Sequence, residues 1–373
     1  MIRKLIPPEN NIYLLTLEKN RNFDKTNAID SLEQENIKWI PLHYHPFGWK
    51  AFIFWMTKGL KLVRMILKER ISIIHCWCTP PGAIGYILSI LTGRKLILDS
   101  YEPHAEAMVE NGSWSKNGVA FRLLFWLEKQ QTKRASCVIS ATEGMRHYAH
   151  EKYGVVIKNF YVKPAGVDLD FFDLKNVKKP DILSTLGLTP KNVVCVYAGK
   201  FGGIYLDQEA FDFFAVAARY WGDPFRVVLL TNSPSEEISQ YCVRSGLKPE
   251  IVITRFVPHH EIPAYIGVGD FAITPVKPVP SKRYCTPIKD GEYWALGLPV
   301  VIPANISDDS SIIENHDIGA VLYELSEAAY IEAVKKIDKL IKNPGMRVII
   351  RNVANTYRSF NRAENIYKKI YAS

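Results

Sequence analysis

Short apolar runs alternate with longer amphipathic segments along almost the whole chain. Those of the first half predict strands at residues 11–17, 37–43, 71–77, 95–99, 136–140 and 160–163. Those of the second half predict strands at residues 193–197, 226–230, 251–256, 271–274, 300–302 and 320–322. Continuously apolar strands that alternate with helices are typical of parallel sheets covered on both faces. The pattern therefore predicts an α/β fold with two doubly wound sheets.

The helical segments and the chain length predict two domains. Helices are predicted at residues 26–36, 48–70, 82–91, 117–133 and 143–153, and two more within 347–371. A chain of 373 residues is too long for one ordinary core. A polar, lysine-rich stretch follows the segment KPAGVDLDFF, so we place the domains at 1–166 and 167–354. The first glycine is Gly48, and we therefore expect the first domain to lack the usual opening strand and glycine-rich turn.

The excess positive charge lies wholly in the first domain. Its 166 residues hold 23 lysines and arginines against 14 acidic residues, which accounts for the net charge of +9 of the whole chain. A basic half with aromatic residues indicates an anionic partner, either a membrane or a polyanion. In residues 48–70, Lys58, Lys61, Arg64 and Lys68 lie near one helical face. There we expect packing to explain most apolar residues and membrane attraction to explain the charge.

Three other features have ordinary explanations. The six scattered cysteines indicate buried thiols of a reducing compartment, and Cys76 and Cys78 beside His75 lack the spacing of a zinc site. Residues 71–93 are uncharged and long enough to span a bilayer. Pro80, Pro81 and Gly82 interrupt them, so we predict a strand, a turn and a buried helix. The N-terminus also lacks the pattern of a signal peptide.

Two segments carry the candidate chemistry. In TPIKDGEYWALGLPVV, a helix over 288–296 places Lys289 and Glu292 on one face, where a cation can hold a phosphate and a carboxylate can accept ribose hydroxyls. The alternative is a solvated pair worth roughly 0.2–0.5 kcal/mol. In YAGKFGGIYLDQEAF, glycines and a lysine follow a strand and suit a pyrophosphate. The candidate residues of this second segment are Gly199, Lys200, Gly202 and Gly203.

The order of these motifs resembles the retaining family 4 type of GT-B glycosyltransferases (glycosyl transferases group 1). KPAGVDLDFF is similar to the interdomain PNGVD…F segment of that family, and TPIKDGEYWALGLPVV resembles its SPxKxxEYxAxGxPVV variant. The resemblance is dense over residues 162–324 and looser elsewhere. It implies two Rossmann-like domains that face each other across a cleft. It also implies that the last helix, about 355–373, crosses back onto the first domain.

The resemblance implies roles for individual residues. Glu292 matches the glutamate that binds the donor ribose, Lys289 the lysine near the diphosphate, and Lys200 a basic residue for the donor phosphates. Two departures stand against these matches. Tyr284 occupies the position of the first glutamate of the family pair, and no basic residue matches around 205–206.

Three residues, Lys282, Arg283 and Lys289, could each supply the missing positive charge. In the first domain, His104 is predicted in a loop after the fourth strand, where relatives carry a histidine that touches the transferred sugar. Glu102 and Glu106 flank it. The predicted catalytic residues are therefore His104, Lys200 and Lys289.

The predicted function is transfer of a sugar from a nucleoside diphosphate sugar, of the UDP or GDP type, to a glycan or lipid-linked acceptor. We expect no cofactor and no metal, because Asp168 and Asp170 of the one Asp-x-Asp match lie in the interdomain segment. The resemblance implies retention and a role in bacterial surface polysaccharide or glycolipid assembly. The expected location is cytoplasmic, peripheral on the inner face of the cell membrane.

Three alternative functions remain open from the sequence. The missing first glutamate would suit a non-catalytic GT-B subunit that binds a nucleotide or a partner glycosyltransferase. A sugar-nucleotide epimerase on the same fold would need acid and base carboxylates that the sequence does not locate. A nucleic-acid binder would suit the charge, but we expect no nucleic-acid partner because no binding motif is recognisable.

Overall fold

The structure is a computed structural model, and it describes residues 10–19, 32, 34–46 and 48–371. The helix predicted at 26–36 lies largely outside these residues. The strands are β1 Ile12–Glu18, β2 Ile37–His43, β3 Ile73–Trp77, β4 Lys95–Tyr101, β5 Cys137–Ser140, β6 Phe160–Val162, β7 Val193–Ala198, β8 Phe225–Leu230, β9 Val252–Arg255, β10 Phe271–Ile273, β11 Val300–Pro303 and β12 Gly319–Leu322. Each predicted strand overlaps one of these, so the α/β prediction is confirmed.

Helices connect the strands and cover the sheets. The first domain contains α1 Trp49–Lys68, α2 Thr79–Thr92, α3 His104–Glu110, α4 Val119–Arg134 and α5 Gly144–Tyr153. The following part of the chain contains α6 Pro180–Thr185, α7 Gln208–Trp221, α8 Ser235–Ser245, α9 Ile262–Ile266, α10 Ile288–Ala295, α11 Asp309–Asn315, α12 Glu327–Ile341, α13 Met346–Arg358 and α14 Phe360–Tyr371. The two helices predicted within 347–371 are therefore present.

The strands form parallel sheets on both sides of the predicted boundary. The second sheet has the order β12-β11-β10-β7-β8-β9, which is the doubly wound order with β7 as its first strand. In the first domain, β1-β2 and β3-β4-β5-β6 form two separate parallel sheets. Among the described residues no hydrogen-bonded ladder joins the β1-β2 sheet to the β3-β4-β5-β6 sheet. The gap between them corresponds to the position that the first strand, β7, occupies in the sheet of the second domain.

The core of the second sheet explains its continuous apolar strands. Along β7, Val194 and Val196 pack into one buried cluster, and Cys195 and Tyr197 pack into another on the opposite face. Side chains alternate across a strand, so a strand buried on both faces needs apolar residues at every position. The Phe-rich helix α7 lies on the Cys195 side.

The last helix lies on the first sheet. Four side chains of α14, at Ala363, Ile366, Tyr367 and Ile370, pack against Ile97, Cys137 and Ile139 of β4 and β5. The Tyr367 hydroxyl also donates to Asp99 Oδ2 at 2.6 Å. The final segment of the chain is therefore part of the first domain's packing.

Residues 71–93 form a strand and a helix, as predicted, but the turn lies earlier than expected. Cys78 makes it with φ 70°, and Pro80 and Pro81 lie inside the first turn of α2. Proline is tolerated there because the amides of a first turn have no helical acceptor. Among the described residues, no helix combines the length and the apolarity that a bilayer crossing requires.

Candidate functional site

The predicted donor segments meet at the carboxyl edge of the second sheet. Strands β7 and β10 are neighbours at the point where the strand order reverses, which is where doubly wound sheets bind ligands. The loop after β7 is joined to the loop after β10. Leu206 N–H donates to Pro275 O at 2.7 Å, and Lys277 N–H donates to Ile204 O at 3.0 Å. Helix α10 follows the second of these loops, so the predicted segments share one edge.

The glycines of the first loop let backbone approach closely. Gly202 and Gly203 have φ 75° and 63°, a region that favours glycine. A Cβ at Gly199 would lie 2.8 Å from Lys289 Cε. The missing side chain therefore lets the lysine pack directly on the loop backbone. Lys200 is exposed on the same loop, and among the described residues its ammonium makes no ion pair.

Lys289 is the cation that the structure places against the glycine loop. Its Nζ donates to the Tyr205 hydroxyl at 3.3 Å and lies 4.6 Å from the centre of that ring. The ring of Tyr197 lies 5.7 Å from the same atom. Arg283, another candidate for the missing charge, is exposed and lines a different pocket. From the sequence, Tyr205 marked only the absence of an expected basic residue. In the structure, its hydroxyl accepts from Lys289 and helps to position that lysine.

Glu292 lies one turn further along α10 and has no protein partner. Its carboxylate is half-buried, and among the described residues it makes no hydrogen bond or ion pair. Burial raises the pKa of Glu292, while Lys289 and His259 oppose the rise. A desolvated, unpaired carboxylate carries a free-energy cost that ligand hydroxyls can relieve. His259, stacked on Phe171 with 5.3 Å between ring centres, was not predicted as a site residue.

Three buried charged residues, Asp290, Asp309 and Arg358, hold α10 in place on its buried side. Thr274 donates to Asp290, and the Arg358 guanidinium donates to Asp309. The charges of the two aspartates and the arginine act on one another. Burial raises the pKa of both aspartates, and Arg358 opposes the rise. The repulsion between the two buried carboxyl groups favours protonation of one of them, and Arg358 offsets the charge of the other. The Tyr293 hydroxyl accepts from Ala198 N–H at 3.0 Å and ties α10 to the end of β7.

His104 begins helix α3, and its prediction as a loop residue is therefore wrong. The imidazole is partly exposed, with Nδ1 3.8 Å from Glu102 Oε1. Glu128 Oε1 accepts from Ala105 N–H at 2.9 Å and so caps the start of this helix. Helix α3 reaches the second domain, where the Glu110 carboxylate accepts from Ser281 N–H at 3.1 Å. No described contact joins His104 to Lys200, Lys289 or Glu292.

Tyr284, at the position of the missing glutamate, packs between the domains. Its ring centre lies 4.9 Å from that of Tyr148, and the ring covers Gly144. Nearby, the Glu143 N–H donates to Asp308 Oδ2 at 3.1 Å. A pocket of about 360 Å³ opens beside these contacts, but none of the predicted donor residues lines it. Tyr284 is therefore engaged in an interdomain contact.

Comparisons with known proteins agree with this architecture. Residues 11–171 match the model of Glycosyltransferase Family 4. The alpha-D-kanosaminyltransferase of Streptomyces kanamyceticus is 19% identical over 306 residues, which cover 80% of this chain and 74% of that protein. Together with the fold, these matches identify the chain as a glycosyltransferase of the GT-B type, and residues 11–171 resemble family 4.

Solved structures show the same fold for this glycosyltransferase. Anabaena HepE in complex with UDP matches with a TM-score of 0.72 and 15% identity, covering 98% of this chain and 100% of that chain. The sucrose-phosphate synthase of Thermosynechococcus elongatus matches with a TM-score of 0.70 and 15% identity, covering 97% and 89%. The family model covers the first domain, whereas the candidate donor motifs lie in the second.

The Asp-x-Asp segment of the glycosyltransferase forms a turn. Asp168 Oδ1 accepts from the backbone N–H groups of Asp170 and Phe171, each at 3.0 Å. This carboxylate therefore has a structural role in the interdomain segment. Over the described ranges, no group of three or more histidine, cysteine or acidic residues could hold a metal ion.

Proposed function

We propose that this glycosyltransferase takes its sugar from a nucleoside diphosphate sugar of the UDP or GDP type, and that the second domain binds this donor. The half-buried, unpaired Glu292 carboxylate one turn from Lys289 carries the proposal. This pair offers two hydroxyl acceptor sites and one cation to a ligand at the start of α10. The solved structure of HepE contains UDP, which favours the UDP type.

The chemistry of transfer follows from where the positive charge lies. As the bond between sugar and diphosphate breaks, negative charge gathers on the diphosphate. Lys289 and the amides at the start of α10, which no side chain caps, are already in position to stabilise that charge as it develops. Lys200 adds a second, exposed cation on the neighbouring loop. We therefore propose transfer without a metal ion, and by family resemblance with retention at the anomeric carbon.

His104 and the first domain complete the proposal on the acceptor side. Helix α3 contacts the turn that precedes α10 through Glu110, at the end of the helix opposite His104. We propose that His104 contacts the transferred sugar. The acceptor is a glycan or lipid-linked hydroxyl, and the role is assembly of bacterial surface polysaccharide or glycolipid in the cytoplasm, at the inner face of the membrane.

A calorimetric titration tests the donor site. UDP, GDP, dTDP, ADP and CMP are titrated into wild type, Glu292→Gln and Lys289→Gln, with Glu250→Gln and Lys191→Gln as exposed controls. One nucleotide should bind wild type and both controls. Glu292→Gln should weaken binding about tenfold or more, because hydrogen bonds to charged groups are the stronger kind. Equal affinity in Glu292→Gln and Glu250→Gln would refute the assigned role.

The non-catalytic alternative has one observation in its favour. Tyr284 is committed to the domain contact with Tyr148, so the first family glutamate has no replacement at its own position. A subunit that binds nucleotide but transfers nothing would keep the Glu292 effect and release no nucleoside diphosphate from its donor. Measured release of UDP or GDP that depends on an added acceptor would decide for the enzyme.

A further inference from the structure

Helix α1 presents a second apolar stripe to solvent. Its buried stripe includes Leu62 and Ile66, which pack under α2. On the outside lie Ile53, Met56 and Leu60, with Met56 58% and Leu60 60% exposed. Their spacing of three and four residues places them on one helical face. Packing among the described residues therefore does not account for this outer stripe.

The two neighbouring helices extend the apolar surface. Helix α2 packs between α1 and α4, as shown by Leu88 in the cluster of Leu62 and by the Arg134 guanidinium donating to Ser89 O at 3.1 Å. On its outer side α2 exposes Ile87, Ile90 and Leu91. Helix α4 exposes Leu123 and Trp126. We call the outer sides of α1, α2 and α4 the three-helix face.

Basic residues interleave with these apolar side chains. Residues 48–95 and 119–134 hold twelve lysines and arginines and two acidic residues. One of the two, Glu128, is fully buried, so Glu69 is the remaining acidic group on this part of the chain. Lys61, Arg64 and Lys68 are exposed on α1 beside its outer stripe. The three-helix face thus combines exposed aliphatic and aromatic groups with a strongly positive field.

We propose that the three-helix face docks on an anionic phospholipid surface. Apolar side chains flanked by lysines are the pattern of helices that lie in the membrane interface, where anionic headgroups attract the basic residues. A second copy of this chain would bring two positive faces together, which opposes association. Protein interfaces are also depleted in lysine at their centres. Nucleic acid would use the charge but leave the aliphatic stripe exposed.

The orientation of α1 links this surface to the cleft. Helices of a parallel sheet begin at the carboxyl edge of the strands, where the ligands bind. Trp49 opens α1 at that edge and is 70% exposed. Docking would hold the mouth of the cleft near the lipid headgroups, where a lipid-linked acceptor lies. This role for the membrane rests on the proposed function, whereas the docking itself does not.

Vesicle co-sedimentation of the full chain tests the apolar part. We expect wild type to bind vesicles that contain phosphatidylglycerol and to bind phosphatidylcholine vesicles weakly. Met56→Ser with Leu60→Ser should weaken binding at least about tenfold, because these groups lose their burial in the interface. The matched control is Val243→Ser with Val348→Ser, two exposed apolar positions of the second domain. It should bind as wild type does.

The charge variants and a salt series test the electrostatic part. Lys61→Gln with Arg64→Gln should weaken binding by about fivefold per charge, and added salt should weaken wild type as well. Lys191→Gln with Lys248→Gln, both exposed in the second domain, is the control. Absence of wild-type binding to anionic vesicles at low salt would overturn the proposal. Equal losses in the control variants would overturn it too.

Two further measurements separate the competing outcomes. Sedimentation velocity that shows a dimer abolished by Met56→Ser with Leu60→Ser would identify a second copy as the occupant and overturn membrane docking. Nucleotide titration of the same variants should match wild type. Nucleotide binding without vesicle binding would refute the docking proposal and leave the donor site standing. Vesicle binding without nucleotide binding would refute the proposed donor site and leave the docking proposal standing.

Discussion

Glu128 offers the sharpest test of the electrostatics in the first domain. Its carboxyl group is fully buried, accepts from Ala105 N–H at 2.9 Å and accepts from the Tyr153 hydroxyl at 2.9 Å. Burial raises the pKa of Glu128 from 4.5 to about 8, and these two hydrogen bonds oppose the rise. The perturbation is Glu128→Gln, which keeps the shape and the acceptor for Ala105 but cannot ionise.

The sign and size of the effect follow from proton binding. Between pH 4.5 and about 8 the native chain holds a proton on Glu128 that the unfolded chain has lost. The free energy of unfolding therefore falls as pH rises through this window, and the fall stops above it. One extra bound proton changes this free energy by about 1.4 kcal/mol for every tenfold change in proton concentration. The wild type should therefore lose about 5 kcal/mol relative to Glu128→Gln across the window.

The assay is urea unfolding of wild type and Glu128→Gln at intervals from about pH 5 to about pH 9. Glu151→Gln, at an exposed position of α5, is the control, and its stability should follow that of wild type at every pH. The advantage of Glu128→Gln should grow with pH and then level off. A difference that stays constant over the whole range would refute the reasoning, because Glu128 would then titrate alike in both states.

Three further outcomes test the donor site. Arg358→Met should lower the free energy of unfolding by roughly 3–5 kcal/mol, measured by thermal unfolding, since it leaves Asp309 without its buried cation. Unchanged stability would contradict the role of this pair. Gly199→Ala should weaken nucleotide binding about tenfold or more by displacing Lys289, with the circular dichroism spectrum unchanged. Transfer activity should survive excess EDTA, and loss restored by a divalent cation would refute metal-independent transfer.

The sequence predicts the strands because burial on both faces leaves a local signature. A run such as the one that forms β7 is apolar at every position, and its short length and its valines favour a buried strand over a helix. Boundaries are less accessible. Helix α2 begins at Thr79, ahead of the prolines that suggested a turn, and α3 begins at His104, where a loop was expected. The N–H groups of a first helical turn have no acceptor within the helix, so the local sequence indicates the first residue of a helix only weakly.

The donor residues could be predicted because parallel strands gather their carboxyl ends at one edge. Each candidate follows a strand, so contiguous motifs predict proximity without any knowledge of tertiary contacts. The partners that hold these residues could not be predicted in this way. Tyr205 is 84 residues from Lys289, and Arg358 is 49 residues from Asp309. Periodicity reports which face of an element is buried, but it does not identify the distant residue packed against it.

Arg358 both supports helix α10 and lies where the chain connects the two domains. The chain passes between the domains at residues 163–167 and again at 358–360, and these crossings lie side by side. Val167 N–H donates to Arg358 O at 2.8 Å, while the Arg358 guanidinium donates to Ala165 O at 3.1 Å and also to Asp309. A rotation of one domain against the other must turn about these adjacent crossings. Because the charges of Asp309 and Arg358 act on Asp290 of α10, such a rotation bears on the helix that carries Lys289 and Glu292.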